Sequence, residues 1–78
     1  MVNEITEYVQ GTVEKIAKER GYNGEITMES NLLSIGVDSL DVMEIVLSAE
    51  NKFHIRIDDN RISRIETMNE LVQLLTTV

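Results

Sequence analysis

The sequence contains no cysteine, no proline and no tryptophan. Without cysteine the chain cannot form disulfides, offer a thiolate nucleophile or build a cysteine-ligated metal site. Any thiol chemistry must therefore come from a group added to it. A single histidine, His54, excludes a multi-histidine metal centre, so no metal ligands are assigned. Aromatic residues are also scarce, at 4%, beside 42% hydrophobic residues. This composition, free of proline, reads as globular and helical. No apolar run is long enough to span a bilayer, so no membrane span is expected. The opening residues Met1, Val2, Asn3 and Glu4 lack the basic and apolar regions of a secretion signal, and a cytoplasmic location is expected. Seventy-eight residues make one compact domain, 1–78, with little volume for an enclosed active site.

Positive charge is in short supply as well. Seven basic residues face fourteen acidic ones, a net charge of −7. Phosphate backbones repel such a surface, so nucleic acid is a poor partner. Basic protein surfaces suit it better, and the field speeds encounter with them. Between Glu25 and Ser48 the acids are Glu25, Glu29, Asp38, Asp41 and Glu44, with no Lys or Arg.

The apolar residues set out the elements. Ile5, Val9, Val13 or Thr12, and Ile16 recur at helical spacing over Asn3 to Arg20, with Asn3 as a candidate cap and Gly21 suited to the C-terminal stop. Gly11 weakens the middle of this helix by about 1 kcal/mol. Tyr22 to Val37 reads as a long loop punctuated by Gly24 and Gly36. Ile26, Leu32, Leu33 and Ile35 are expected to pin it to the core. A second helix runs from Ser39 to Phe53, capped by Asp38, with Asp41 in its first turn where the helix dipole favours an acid. A short helical piece is expected at Asn60 to Arg64. A last helix starts from the capping box Thr67 and Glu70, with Met68, Leu71, Val72 and Leu75 as its buried stripe, supported by Leu74 and Val78. The fold class is all-α, a small four-helix bundle: three longer helices, one short helix and a long first loop.

The second helix carries two apolar stripes. Val42, Ile45, Val46, Ala49 and Phe53 share one face, spaced as a core stripe is. Leu40, Met43 and Leu47 fall roughly 140° away. A bundle buries one face of each helix, which leaves the second stripe without an obvious intramolecular partner, unless the bundle is irregular and the long loop covers Leu40 or Leu47. Glu44 and Glu50 flank it. An apolar strip with acidic borders suits docking onto a groove with basic rims.

Ser39 lies at the edge of that strip, on the first turn, in Gly36-Val37-Asp38-Ser39-Leu40-Asp41. Free N–H groups and the positive end of the helix dipole favour a phosphate there. Ser39 does not read as a hydrolytic nucleophile. Its only possible imidazole, His54, is fifteen residues on, about 20 Å along the helix, and Gly-x-Ser-x-Gly is absent. No catalytic residue is assigned, and the chain is not expected to be an enzyme. Two readings remain: a serine modified by another enzyme, or an unmodified acidic helical adaptor binding a basic partner through Leu40, Met43 and Leu47.

The stretch Leu32-Leu33-Ser34-Ile35-Gly36-Val37-Asp38-Ser39-Leu40-Asp41-Val42-Met43-Glu44-Ile45-Val46 resembles the signature of acyl carrier proteins. The similarity continues through Phe53 and Ile57 and more loosely over the whole chain. The resemblance implies that Ser39 carries a phosphopantetheine arm, attached covalently from coenzyme A by a phosphopantetheinyl transferase. Acyl groups would ride on that arm as thioesters, in fatty-acid or a specialised lipid or polyketide-like biosynthesis. It implies that Asp38, Leu40, Asp41, Met43, Glu44, Leu47 and Glu50 meet acyl-loading, acyl-modifying and acyl-transferring enzymes with basic docking surfaces. It also implies a monomer, and an acyl chain that can retreat between helices lined by Val46, Ala49, Ile62, Ile65 and Leu71. The sequence departs from the family's common pattern at Ala49-Glu50-Asn51-Lys52, which is less acidic, and at Asp58-Asp59-Asn60, which lacks a proline. Arg61 and Arg64 stand where acidic or neutral residues are usual. These departures favour a specialised pathway. Asp58, Asp59 and Asn60 lack the spacing of a calcium loop and read as a solvated turn. His54 reads as a partly exposed residue whose charge suits a helix C-terminus.

Overall fold

A computed structural model describes residues 2–77. The first helix, α1, spans Val2–Glu19. Ile5, Val9, Val13 and Ala17 recur every four residues and are fully buried, while Ile16 is half-buried. The stripe is therefore narrower than its sequence suggests and is completed by an alanine. Asn3 is not the cap: the helix already includes Val2. Gly21 does end it. With φ 91° it adopts the left-handed conformation that glycine takes without steric cost. Tyr22 N–H then bonds Ala17 O at 3.0 Å and Gly21 N–H bonds Lys18 O at 3.0 Å, the paired bonds of a Schellman stop.

The long loop follows, containing a 3₁₀ turn at Leu33–Ile35. Three residues per turn place Leu32 and Ile35 on the same side, and both are buried, as is Val37. Leu33 points the other way and is 72% exposed, so it does not help pin the loop. The loop instead clasps the start of the last helix. Leu32 N–H donates to Glu66 O at 2.8 Å, Met68 N–H to Ser30 O at 3.0 Å and Asn69 N–H to Met28 O at 2.8 Å.

Helix α2 spans Ser39–Phe53. It ends on His54, an exposed residue in the left-handed conformation at φ 56°, which costs on the order of 1 kcal/mol for a non-glycine residue. Helix α3 is shorter and earlier than expected, Asp59–Ile62, with the Asp58 carboxylate accepting Asn60 N–H at 3.0 Å. Asp58 is thus a helix cap, and the described residues contain no acidic or histidine cluster suited to a metal ion. Helix α4, Met68–Thr76, starts from the Thr67–Glu70 capping box, and Met68, Leu71, Val72, Leu74 and Leu75 are buried along it. Val78, expected to extend that stripe, lies outside the described residues.

The four helices share one hydrophobic core. α1 packs against α2 and α4, and α2 also meets α3 and α4. Val42, Ile45, Val46 and Ala49 enter the core from α2. Phe53, expected with them, is only half-buried. It meets Tyr8 edge-to-face at 5.7 Å, with the Lys52 ammonium 5.8 Å from its ring, in a satellite contact between α1 and α2. Urea unfolding is therefore expected to separate two truncations. Leu71→Ala in the sealed core should cost about 3 kcal/mol, and Phe53→Ala about 1–2 kcal/mol. Equal losses would place Phe53 in the core after all.

Candidate functional site

The site is built around the N-terminus of α2. Asp38 is its cap. The Asp38 carboxylate accepts Asp41 N–H at 3.0 Å and the Asp41 carboxylate accepts Asp38 N–H at 3.0 Å, a reciprocal capping box. Ser39, the first helical residue, is exposed, and its hydroxyl bonds to no described residue. The N–H groups of Ser39 and Leu40 likewise have no acceptor among the described residues. Two unpaired donors at the positive end of a fifteen-residue helix suit an anion such as a phosphate esterified to that serine.

Arg20, from the end of α1, completes the arrangement. One guanidinium nitrogen donates to Asp41 Oδ2 and to Gly36 O, each at 2.7 Å, and the other to Asp41 Oδ1 at 2.9 Å. Asp41 was expected to meet partners. Instead its side chain is turned inward, 11% exposed, with both oxygens engaged by Arg20 and Asp38. The Arg20 hydrogen bond pulls the Asp41 carboxyl down to about 2 from 3.8; burial opposes this and the Asp38 bonds assist it. In return, Asp41 raises the pKa of Arg20 above its ordinary value.

The other residues picked out in the sequence divide clearly. Leu40, Met43 and Leu47 are exposed at 69%, 45% and 56%, so no loop covers the second stripe. Glu44 and Asp38 are exposed beside it. Glu50 is half-buried and accepts Ile57 N–H at 2.7 Å, which ties down the chain after α2. A cleft of about 340 Å³ opens on one side of Ser39, bounded by Asn31, Leu33, Ser63 and Glu66. A smaller one of about 170 Å³ opens on the other, bounded by Leu40, Met43 and Ile62. Ser39, Val42, Ser63 and Ile65 line both clefts. Of the residues expected to line an acyl compartment, Ile62 and Ile65 border these clefts, whereas Val46, Ala49 and Leu71 are sealed in the core.

Sequence reasoning missed Arg20 and Leu33. Arg20 lies 21 residues from Asp41, beyond any local spacing rule. The exposure of Leu33 follows from the 3₁₀ turn, and an apolar residue in a loop gives no sign of which way it faces.

Comparison with known proteins agrees with this geometry. A family model described as "Phosphopantetheine attachment site" matches residues 7–75. An acyl carrier protein of Exiguobacterium sibiricum is 35% identical over 69 residues, covering 87% of this chain and 84% of that one. One from Wolinella succinogenes is 39% identical over 54 residues, covering 68% and 71%. The crystal structure of an acyl carrier protein from Thermotoga maritima superposes with a TM-score of 0.71 at 27% identity, covering 95% of this chain and 88% of that one.

The Asp41 shift makes stability depend on pH. A carboxylate held near 2 when folded and near 3.8 when unfolded contributes its full share above about pH 4 and loses it as the pH falls towards 2. Asp41→Asn should be less stable than wild type at neutral pH and should lose less stability across that window, measured by urea midpoints from pH 7 to pH 2. Glu70, whose pKa is lowered by N–H groups of Glu66 and Thr67, gives a slope of the same sign in both proteins. Parallel curves for the two proteins would refute the role given to Asp41.

Proposed function

Because the chain belongs to the acyl carrier protein family, whose members carry a covalent phosphopantetheine, we propose that Ser39 is the residue to which the arm is attached. The observation that carries this reading is the exposed, unbonded Ser39 hydroxyl at the first position of α2, beside two unpaired backbone donors. The arm, when attached, supplies the thiol that this cysteine-free chain lacks, and acyl groups are held on it as thioesters.

The chain's own residues do the presenting. Asp38 and Asp41 start the helix at Ser39, so the hydroxyl stands clear of the fold. The N–H groups of Ser39 and Leu40 are placed to receive phosphate oxygens. Leu40, Met43 and Leu47, bordered by Asp38 and Glu44, form the face offered to the transferase and to acyl-handling enzymes with basic docking surfaces. Charge brings the partners together, and the apolar strip provides the dry contact. A long tether then raises the local concentration of cargo at each docked active site. The chain acts as a monomeric carrier of one domain rather than as a catalyst. Its pathway is fatty-acid or a related specialised lipid or polyketide-like biosynthesis; Arg61 and Arg64, exposed on and beside α3, favour the specialised kind. An acyl chain reaching Val46, Ala49 and Leu71 has to part the seam at Ile62 and Ile65.

Incubation with coenzyme A and a broad-specificity phosphopantetheinyl transferase should add the mass of one phosphopantetheine, and Ser39→Ala should abolish the gain. An unchanged intact mass in wild type would leave the acidic adaptor as the better reading. Glu44→Lys with Leu47→Asp should raise the KM for the carrier at low salt without loss of helical content. An unaltered KM would remove this face from the docking surface.

A further inference from the structure

We propose that Arg20 is a positioning residue for the modification of Ser39, setting from the end of α1 the backbone that presents the hydroxyl. The inference rests on Ser39 being the attachment point.

The bonds of Arg20 bracket the serine without touching it. Gly36, whose carbonyl accepts at 2.7 Å, lies three residues before it, and Asp41, held at 2.7 and 2.9 Å, lies two after. The same Asp41 oxygen that meets Arg20 at 2.7 Å also accepts Asp38 N–H, so the residue immediately before Ser39 belongs to the network. One cation thus joins both flanks of the serine. Its own backbone is fixed, because Arg20 N–H bonds Ile16 O at 3.1 Å just before the Schellman stop. Gly36 is shaped to receive it. Its φ is 92°, and a Cβ there would lie 3.2 Å from the Arg20 Cβ. A side chain at position 36 would press on the arginine stem as well as strain the turn.

This role differs from holding the helix together. The capping box between Asp38 and Asp41 needs no arginine, and the core runs through other residues. Without Arg20, helix α2 still starts at Ser39, but the Gly36 carbonyl and the Asp41 oxygens lose the donors that fix them relative to α1.

Modification demands that placement. In the transfer, the Ser39 Oγ–phosphorus bond forms and the phosphorus–oxygen bond of the coenzyme A pyrophosphate breaks. The leaving 3′,5′-ADP takes the bonding electrons, and the hydroxyl proton passes to a base on the transferase. An in-line displacement tolerates little misplacement; about 1 Å can cost a factor of ~100. Docking uses Leu40, Met43 and Leu47, whereas the side-chain bonds of Arg20 go to Gly36 and Asp41. Loss of Arg20 therefore slows the bound complex more than it weakens binding.

The test is steady-state modification of wild type, Arg20→Ala and Arg20→Lys with coenzyme A and a phosphopantetheinyl transferase. It is run at a temperature where circular dichroism shows each variant folded. Arg20→Ala should lower kcat about tenfold and leave the KM for the carrier within about twofold; Arg20→Lys, which keeps the cation but not the fork, should fall between. Amide exchange should quicken from Gly36 to Leu40 in Arg20→Ala and stay unchanged in α4. A folded Arg20→Ala modified at the wild-type kcat overturns the proposal. So does a loss of rate that osmolyte restores in full, since it would report stability alone. If Arg20→Ala is unfolded at every temperature, Arg20→Lys decides: wild-type kcat overturns the proposal, and a reduced kcat at unchanged KM supports it. Wild type that gains no mass overturns the attachment at Ser39 itself, and the proposal with it, which separates the two failures.

Discussion

The pair between Arg20 and Asp41 joins the end of the first helix to the beginning of the second, and the geometry around Ser39 depends on it. It is the only ion pair among the described residues. Its setting explains why it matters. Asp38 and Asp41 lie three residues apart on a chain of net charge −7, and each aims its carboxylate at the other's backbone N–H. That arrangement brings two like charges close together. The helix dipole offsets part of the repulsion, and the Arg20 guanidinium offsets more. Arg20 is half-exposed, so water and salt weaken the pair and its contribution to global stability is modest. What it fixes is conformation: the direction in which the turn at Gly36 meets the helix.

Helix α2 carries apolar residues on two sides. Val42, Ile45, Val46 and Ala49 supply the core, while Leu40, Met43 and Leu47 face solvent. An exposed apolar strip invites self-association, and the surplus of acids counters this by keeping copies apart. On the docking role proposed above, the same acids also attract basic partners. The division also limits how the chain can vary. A change on the inner stripe acts on a core that is small to begin with. One on the outer stripe leaves that core untouched.

Much of this was legible in the sequence because local rules govern it. Capping boxes are set by residues three apart, so the starts of α2 and α4 could be read directly from Asp38 with Asp41 and from Thr67 with Glu70. The two stripes of α2 follow from helical spacing alone. Misreadings came where distant parts of the chain meet. Asp41 carries the sequence marks of a surface acid, and only the arrival of Arg20 turns it inward. Phe53 has core spacing, but it sits in the last position of α2, where it packs beside Tyr8 at the margin of the core and stays half-buried. Leu33 is apolar yet exposed, because a 3₁₀ turn allots alternate faces differently from an α-helix. Helix α3 spans only four residues, too few for any periodic signal.

The clasp between the long loop and α4 has a mechanical consequence. Carbonyls of Met28 and Ser30 bond the leading amides of α4, and Asn31 bridges to Thr67, so the loop is fastened to the last helix. Leu32, on that loop, and Val42, on α2, both line the larger cleft beside Ser39. A wider cleft requires α2 to shift against the clasped loop, and the Arg20 bonds to Gly36 and Asp41 oppose that shift.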